Sequence, residues 1–245
     1  GPVSVSAEFG LPLLQAISDW QRSATTSRAQ TLKSMCVALP DEYRTCHLVC
    51  YRQIALPKEG IWALIGEDRL PEKISSWTVA TEVAKAFKGG VPPDGQGYQG
   101  TILYLYPPPG SVIVNLSKLY QNPAFTDAMK QNSADILGYG NGAGRWGNSQ
   151  SEVVLEIDAV TPEDIYALGG HSSPLDELVV QAAGLVYRRP STREEQHALF
   201  LQAEQAAITA GPKWLNMDAT RRVLANTRPH AERLGEIKRQ QKNES

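Results

Sequence analysis

Three short polar clusters carry the residue types in this 245-residue chain that could do chemistry. Tyr51-Arg52-Gln53 lies inside an apolar run, Ser76-Trp77-Thr78 precedes a helical pattern, and Gln150-Ser151-Glu152 follows a glycine-rich loop. A guanidinium buried without a partner is expensive, and a glutamate at the mouth of a strand adds nothing to core packing. Singly, each has an ordinary reading: Arg52 paired with a core carboxylate, Ser76 capping a helix, Glu152 at a solvated strand end. Together, each at a strand edge, they form a candidate site built from a carboxylate, a guanidinium and hydroxyls. Other chemistries lack their motifs. There is no GxGxxG after a strand, no P-loop, no G-x-S-x-G and no H-E-x-x-H. His47, His171, His197 and His230 stand in unrelated contexts, which gives little support to a serine or cysteine triad. Cys36, Cys46 and Cys50 have no C-x-x-C spacing and read as small buried thiols, not as a disulfide framework or a metal site. In "TCHLVCYRQI", Cys46 and Cys50 are expected on one strand face and His47 on the other.

The elements that must position these clusters follow from periodicity. Leu14, Ile17 and Trp20, then Leu32, Met35 and Cys36, predict helices over residues 8–40, ended by Pro40-Asp41. "HLVCYRQIAL" reads as a buried strand. "SSWTVATEVAKAFKGG" reads as a strand end capped into a helix by Ser76 or Thr78 and stopped at Gly89-Gly90. "GTILYLYPPPGSVIVNL" predicts two strands around a proline corner, and "NPAFTDAMKQNSADILGYG" a helix and its exit. "SEVVLEI" predicts a strand with Val153, Leu155 and Ile157 on one face. Gln150, two residues before Glu152, is expected on the same face as that glutamate. Beyond Thr161-Pro162 the chain reads as mostly helical: "DELVVQAAGLVY" reads as a continuation of the core, and two surface helices flank Gly211-Pro212. Helix, mixed strands, then helices is an α+β order, not a βαβ alternation.

On these residues the chain resembles the ADP-ribosyltransferase toxin family, in its arginine-serine-glutamate class. Tyr51-Arg52 matches the aromatic-arginine strand of that family. Ser76-Trp77-Thr78, followed by "EVAKAF", matches its S-T-S segment and helix. Gln150-Ser151-Glu152, after "YGNGAGRWGNS", matches its Q/E-x-E strand and turn loop. The likeness spans roughly residues 48 to 157. Trp77 and Thr78 depart from the S-T-S pattern, and Gln53 stands where many members have glycine. The resemblance implies a fold with a pair of packed β-sheets, flanking helices and a helical C-terminal extension. It implies NAD as substrate and no metal. Glu152 would stabilise the oxocarbenium-like state formed as the nicotinamide–ribose bond breaks. Ser76 would orient Glu152, and Arg52 would hold the cofactor phosphate with its fork of donors, with Tyr51 and Thr78 beside them. Gln150 would position the acceptor. In the family, glutamate there accompanies arginine acceptors, and glutamine accompanies other protein side chains or, in some branches, nucleic-acid bases. The glycines would let the loop reshape around a substrate, with Trp146, Tyr139 and Arg145 as recognition residues. The plainer alternative is a hairpin whose Trp146 folds back on the core.

The implied organisation is an N-terminal helical segment (1–40), a catalytic domain (41–185) and a basic helical extension (186–245). That extension holds 11 Lys/Arg against 7 Asp/Glu in a chain whose net charge is −2. Such a tail suits attraction to nucleic acid or acidic partners, and more commonly a solvated helical face. No run reaches the roughly 18 apolar residues of a membrane span, and no basic-then-apolar leader is evident. These features predict action in the cytoplasm, by a resident protein or a delivered effector, without a membrane partner. The expected partners are NAD, a protein or nucleic-acid acceptor, and an antitoxin or immunity protein. Two other readings use the same sequence: an NAD glycohydrolase, in which water replaces the acceptor, and a catalytically inactive binding module of the same fold.

Overall fold

A computed structural model describes residues 9–87, 98–171, 189–198 and 214–244. The predicted Gly89-Gly90 stop, the "DELVVQAAGLVY" segment, Gly211-Pro212 and most of the helix before it lie outside the described residues. The fold is α+β. Six strands form one sheet in the order β5-β6-β3-β1-β4-β8, and β2 and β7 form a second, two-stranded sheet. These strands are β1 (Cys50–Pro57), β2 (Leu70–Pro71), β3 (Ile74–Thr78), β4 (Tyr98–Leu105), β5 (Val112–Val114), β6 (Glu152–Glu156), β7 (Ala159–Val160) and β8 (Ile165–His171). Among the described residues no helix is long and apolar enough to cross a membrane.

The chain divides into two units. The first comprises Gly1–Tyr51, Glu72–Val83 and Leu105–Asp158. Its helices are α1 (Leu11–Arg22), α2 (Thr26–Cys36), α5 (Leu116–Leu119), α6 (Pro123–Gln131) and α7 (Ala143–Trp146). In α1, Leu13, Leu14, Ala16, Ile17 and Trp20 recur at helical spacing and are all buried. Thr25 caps α2 by accepting from the Arg28 N–H, and Asn122 caps α6 by accepting from the Ala124 N–H. Leu14, Ile17, Leu32, Leu116, Leu119 and Phe125 close one core with Val114 of β5 and Val154 of β6. Residues 9–40 therefore share a core with the strands. The apolar stripe of α1 is covered by that shared core, so these helices pack as part of the first unit.

β6 is antiparallel to β3 and to β5. Glu152, Val153, Val154 and Leu155 are all buried, so both faces of the strand are covered. Alternation had suggested a single buried face; a strand inside the sheet is covered on both sides.

The second unit comprises Arg52–Pro71, Ala84–Tyr104 and Ala159–Ser245. It contains α3 (Lys58–Gly66) and the long C-terminal helix α8 (Met217–Glu244), with α4 (Thr81–Ala86) shared across the boundary. α8 buries Ala219, Thr220, Leu224 and Ala231, and a Cβ on Gly66 would lie 2.6 Å from the Ala231 carbonyl oxygen. The C-terminal helix is thus a packed element of its unit, not wholly a solvated surface helix. Among the described residues after Pro162 most are helical, as expected, but β8 adds a strand that the sequence reading did not include. Ile165, Ala167 and Leu168 are buried there and the strand pairs with β4. The Leu168 N–H also donates to the Thr220 hydroxyl at 3.2 Å.

Candidate active site

In the first unit the register sets Tyr51 opposite Thr78, and Thr78 opposite Glu152. Residues paired across antiparallel strands project to one face, so Tyr51, Thr78 and Glu152 form a row across β1, β3 and β6. Ser76, two residues before Thr78 and opposite Val154, lies on the same face. Members of all three sequence clusters, Tyr51, Ser76 with Thr78, and Glu152, thus meet on one surface. Arg52 is the next residue along β1, where the second unit begins, and is half-buried. The register aligns Tyr51, not Arg52, with the glutamate. Tyr51, at one end of the row, is half-buried, while Thr78 and Glu152 are both buried, each 7% exposed. The Thr78 hydroxyl accepts from the Ala80 N–H at 3.1 Å, so it holds the turn into α4 locally.

Glu152 accepts a hydrogen bond of 2.8 Å from the indole N–H of Trp20 on α1. A hydrogen bond to an ionised carboxylate is roughly twice as strong as a neutral one. The indole itself is buried, so solvent competes little for the contact. Tyr120, just after α5, donates its hydroxyl to the Gln21 side chain at 2.6 Å. Burial first, and then the negative charge of Glu152, push the Tyr120 phenol above its ordinary range. The carboxylate is therefore placed among aromatic walls, next to a phenol that stays protonated.

The loop that delivers Glu152 is held by one helix. Gln15 donates to the Leu137 carbonyl at 3.0 Å and accepts from the Leu137 N–H at 2.9 Å. The Ser18 hydroxyl accepts from the Ala143 N–H at 3.0 Å, and Gln21 donates to the Gly147 carbonyl at 2.9 Å. Residues 15, 18 and 21 are three apart, so they form one polar stripe along α1. That stripe is visible in "LPLLQAISDWQR", but its target is more than a hundred residues away in sequence.

Several glycines permit close packing in and around this loop. Gly142 lies against the Ser18 carbonyl and hydroxyl, and Gly144 against the Tyr139 ring, where a Cβ would come within 2.7 Å. Gly138 and Gly147 adopt positive φ, a conformation glycine takes without steric cost. Tyr139–Asn141 form a 3-10 turn and α7 a single helical turn. Tyr139 is half-buried against the core. Trp146 is half-buried with the exposed Arg145 guanidinium 4.6 Å from its ring centroid, a cation–π contact.

Gln150 departs from its expected position. β6 begins at Glu152, and Ser151 has φ +44°, outside strand geometry. The two-residue alternation therefore does not carry Gln150 onto the Glu152 face. Its side-chain amide donates instead to the Ser149 hydroxyl at 3.4 Å. The Ser151 carbonyl accepts from the Val79 N–H at 3.1 Å, which joins this turn to the end of β3.

Cys46 lies in the turn before β1, yet its sulfur is 3.8 Å from that of Cys50. The hydrogen bond from Cys50 holds the Cys46 thiol down to about 6, and the same contact drives Cys50 upward. Burial pushes the Cys36 thiol up to about 12. Because the thiolate is the nucleophile, iodoacetamide at neutral pH should modify Cys46 before Cys36. Peptide mass spectrometry over a pH series checks this; faster labelling of Cys36 would contradict it. His47 points outward, its ring 3.3 Å from the Tyr106 hydroxyl. Among the described residues no group of three or more His, Cys, Asp or Glu could hold a metal ion. Comparison with protein-family models, curated proteins and solved structures finds no match to this chain.

Proposed function

We propose that this chain is an NAD-dependent mono-ADP-ribosyltransferase with an ADP-ribosyltransferase-like fold, acting in the cytoplasm as a toxin, effector or defence enzyme. The observation that carries this reading is the row of Tyr51, Thr78 and buried Glu152 with Ser76 on the same face. In the reaction the bond between nicotinamide and C1′ of the ribose breaks, and nicotinamide leaves with the electron pair. The acceptor nucleophile then bonds to C1′ and loses its proton. Glu152 supplies negative charge where the sugar becomes positive, and a fixed charge in a site that excludes water is worth far more than one in solvent. Ser76 and Tyr51 line the sugar and nicotinamide side. Arg52 binds the diphosphate, a task that suits a rigid guanidinium fork. The Trp146–Arg145 pair on the adjoining loop contacts the acceptor, a non-arginine protein side chain or a nucleic-acid base.

A specific observation favours NAD glycohydrolase as a second reading. Gln150, the residue expected to position an acceptor, is outside β6 and hydrogen-bonded to Ser149, which leaves water as a competing nucleophile. Labelled NAD in cell lysate, divided between nuclease and protease treatment, tests both. Label sensitive to protease or to nuclease supports transfer and identifies the acceptor class. NAD consumption without labelled macromolecule supports hydrolysis. Untouched NAD overturns both readings and leaves a binding module.

A further inference from the structure

Trp20 lies outside the span of family likeness and 132 residues from Glu152, yet the two make a buried hydrogen bond. We infer that Trp20 is a positioning residue for the carboxylate, holding its orientation in the site; this rests on the transferase or glycohydrolase reading above. The indole N–H is a donor only, so it can bond Glu152 through an oxygen lone pair and cannot accept a proton from it. It engages Oε2 at 2.8 Å, which restricts rotation of the planar carboxylate. The same helix presents Gln15, Ser18 and Gln21 to the loop leading into β6. α1 therefore fixes both the backbone that carries Glu152 and the rotamer of its side chain.

The groups facing Glu152 shape how it responds. Trp20 comes from α1, Tyr120 follows α5, and Thr78 comes from β3. Tyr139, from the loop, adds its phenol beside Tyr120. With Tyr120 protonated, the indole donor favours the ionised carboxylate. Removing that donor should make Glu152 easier to protonate. Neither effect depends on how NAD is held.

The test is Trp20→Phe, which loses the donor, beside Trp20→His, which restores a ring N–H. Circular dichroism establishes that each variant is folded. In Trp20→Phe, kcat for NAD cleavage should fall about tenfold with KM for NAD within about twofold, and the acidic limb of the pH–rate profile should move upward, as expected for losing a hydrogen bond to a charged group. Trp20→His should recover part of both. A folded Trp20→Phe with the wild-type acidic limb and kcat overturns the positioning role. So does an equal loss in Trp20→His and Trp20→Phe, which marks Trp20 as packing alone. Wild-type protein that leaves NAD intact overturns the enzymatic reading instead. A binding readout separates the two failures. The pH-dependent fluorescence difference between wild type and Trp20→Phe should show a carboxylate titration that is lost in Glu152→Gln. That signal supports the Trp20–Glu152 coupling even without turnover, and its absence overturns the coupling.

Discussion

Glu152→Gln is expected to slow NAD cleavage by about 100- to 1000-fold while the protein keeps its fold and its affinity for NAD; losses of this order follow removal of one group that stabilises transition-state charge. The substitution is nearly isosteric, and the glutamine carbonyl oxygen can still accept from the Trp20 indole. Only the negative charge is lost. Because the side chain sits in a buried position beside Trp20 and Tyr120, water cannot replace that charge at the ribose. The measurement is the initial rate of nicotinamide release together with near-UV circular dichroism and NAD affinity. Undiminished release with an intact fold would remove Glu152 from the chemistry and, with it, the proposed reaction.

The second large effect is expected at Gly142. A Cβ there would run into the Ser18 carbonyl and hydroxyl. Ser18 lies in the middle of α1 and its carbonyl belongs to the helix, so the loop has to yield. Gly142→Ala should therefore separate residues 142–143 from α1 and break the bond from the Ala143 N–H to Ser18 Oγ. Overpacking of this kind costs about 1–3 kcal/mol, measured as a lower midpoint in urea. Activity should fall as well, because the displaced loop leads into Glu152. Gly140→Ala is the control. Nothing lies within 4 Å of a Cβ at that position, so stability should be within about 0.5 kcal/mol of wild type, as for other exposed substitutions. Equal effects at the two glycines would mean that the loop is not seated on α1.

Local pattern accounts for much of what the sequence revealed. The helical spacing of Leu14, Ile17 and Trp20, the strand run around Tyr51, and the alternating "SEVVLE" are each decided by neighbours a few residues away. The same is true of α6, whose Asn122 cap and Pro123 start are adjacent in sequence. Trp20 was legible only as a member of an apolar stripe, because the residue that uses its N–H is on a strand 132 residues further along. Gln150 misled for the opposite reason. Its spacing from Glu152 was right for a strand, but the positive φ of Ser151 comes from the tertiary turn against β3 and has no glycine to announce it. β8 was overlooked because "IYALGGH" ends in glycines and follows a proline turn; its strand state is set by pairing with β4. α3 has a largely apolar core and no clear amphipathic period, and it is stabilised within its unit by α8. The register placing Tyr51, Thr78 and Glu152 in line required the sheet itself.

The Trp20–Glu152 bond also bears on when activity can first arise. The first unit is assembled from three stretches of chain, and its proposed catalytic group arrives with the last of them. Loop closure over such separations is costly before any contact rewards it, and non-local pairing slows folding. A chain emerging from the ribosome can form α1 and α2 early, but its site has no carboxylate until β6 inserts between β3 and β5. Until then the polypeptide is without the proposed site, which forms only in a late, long-range step of folding.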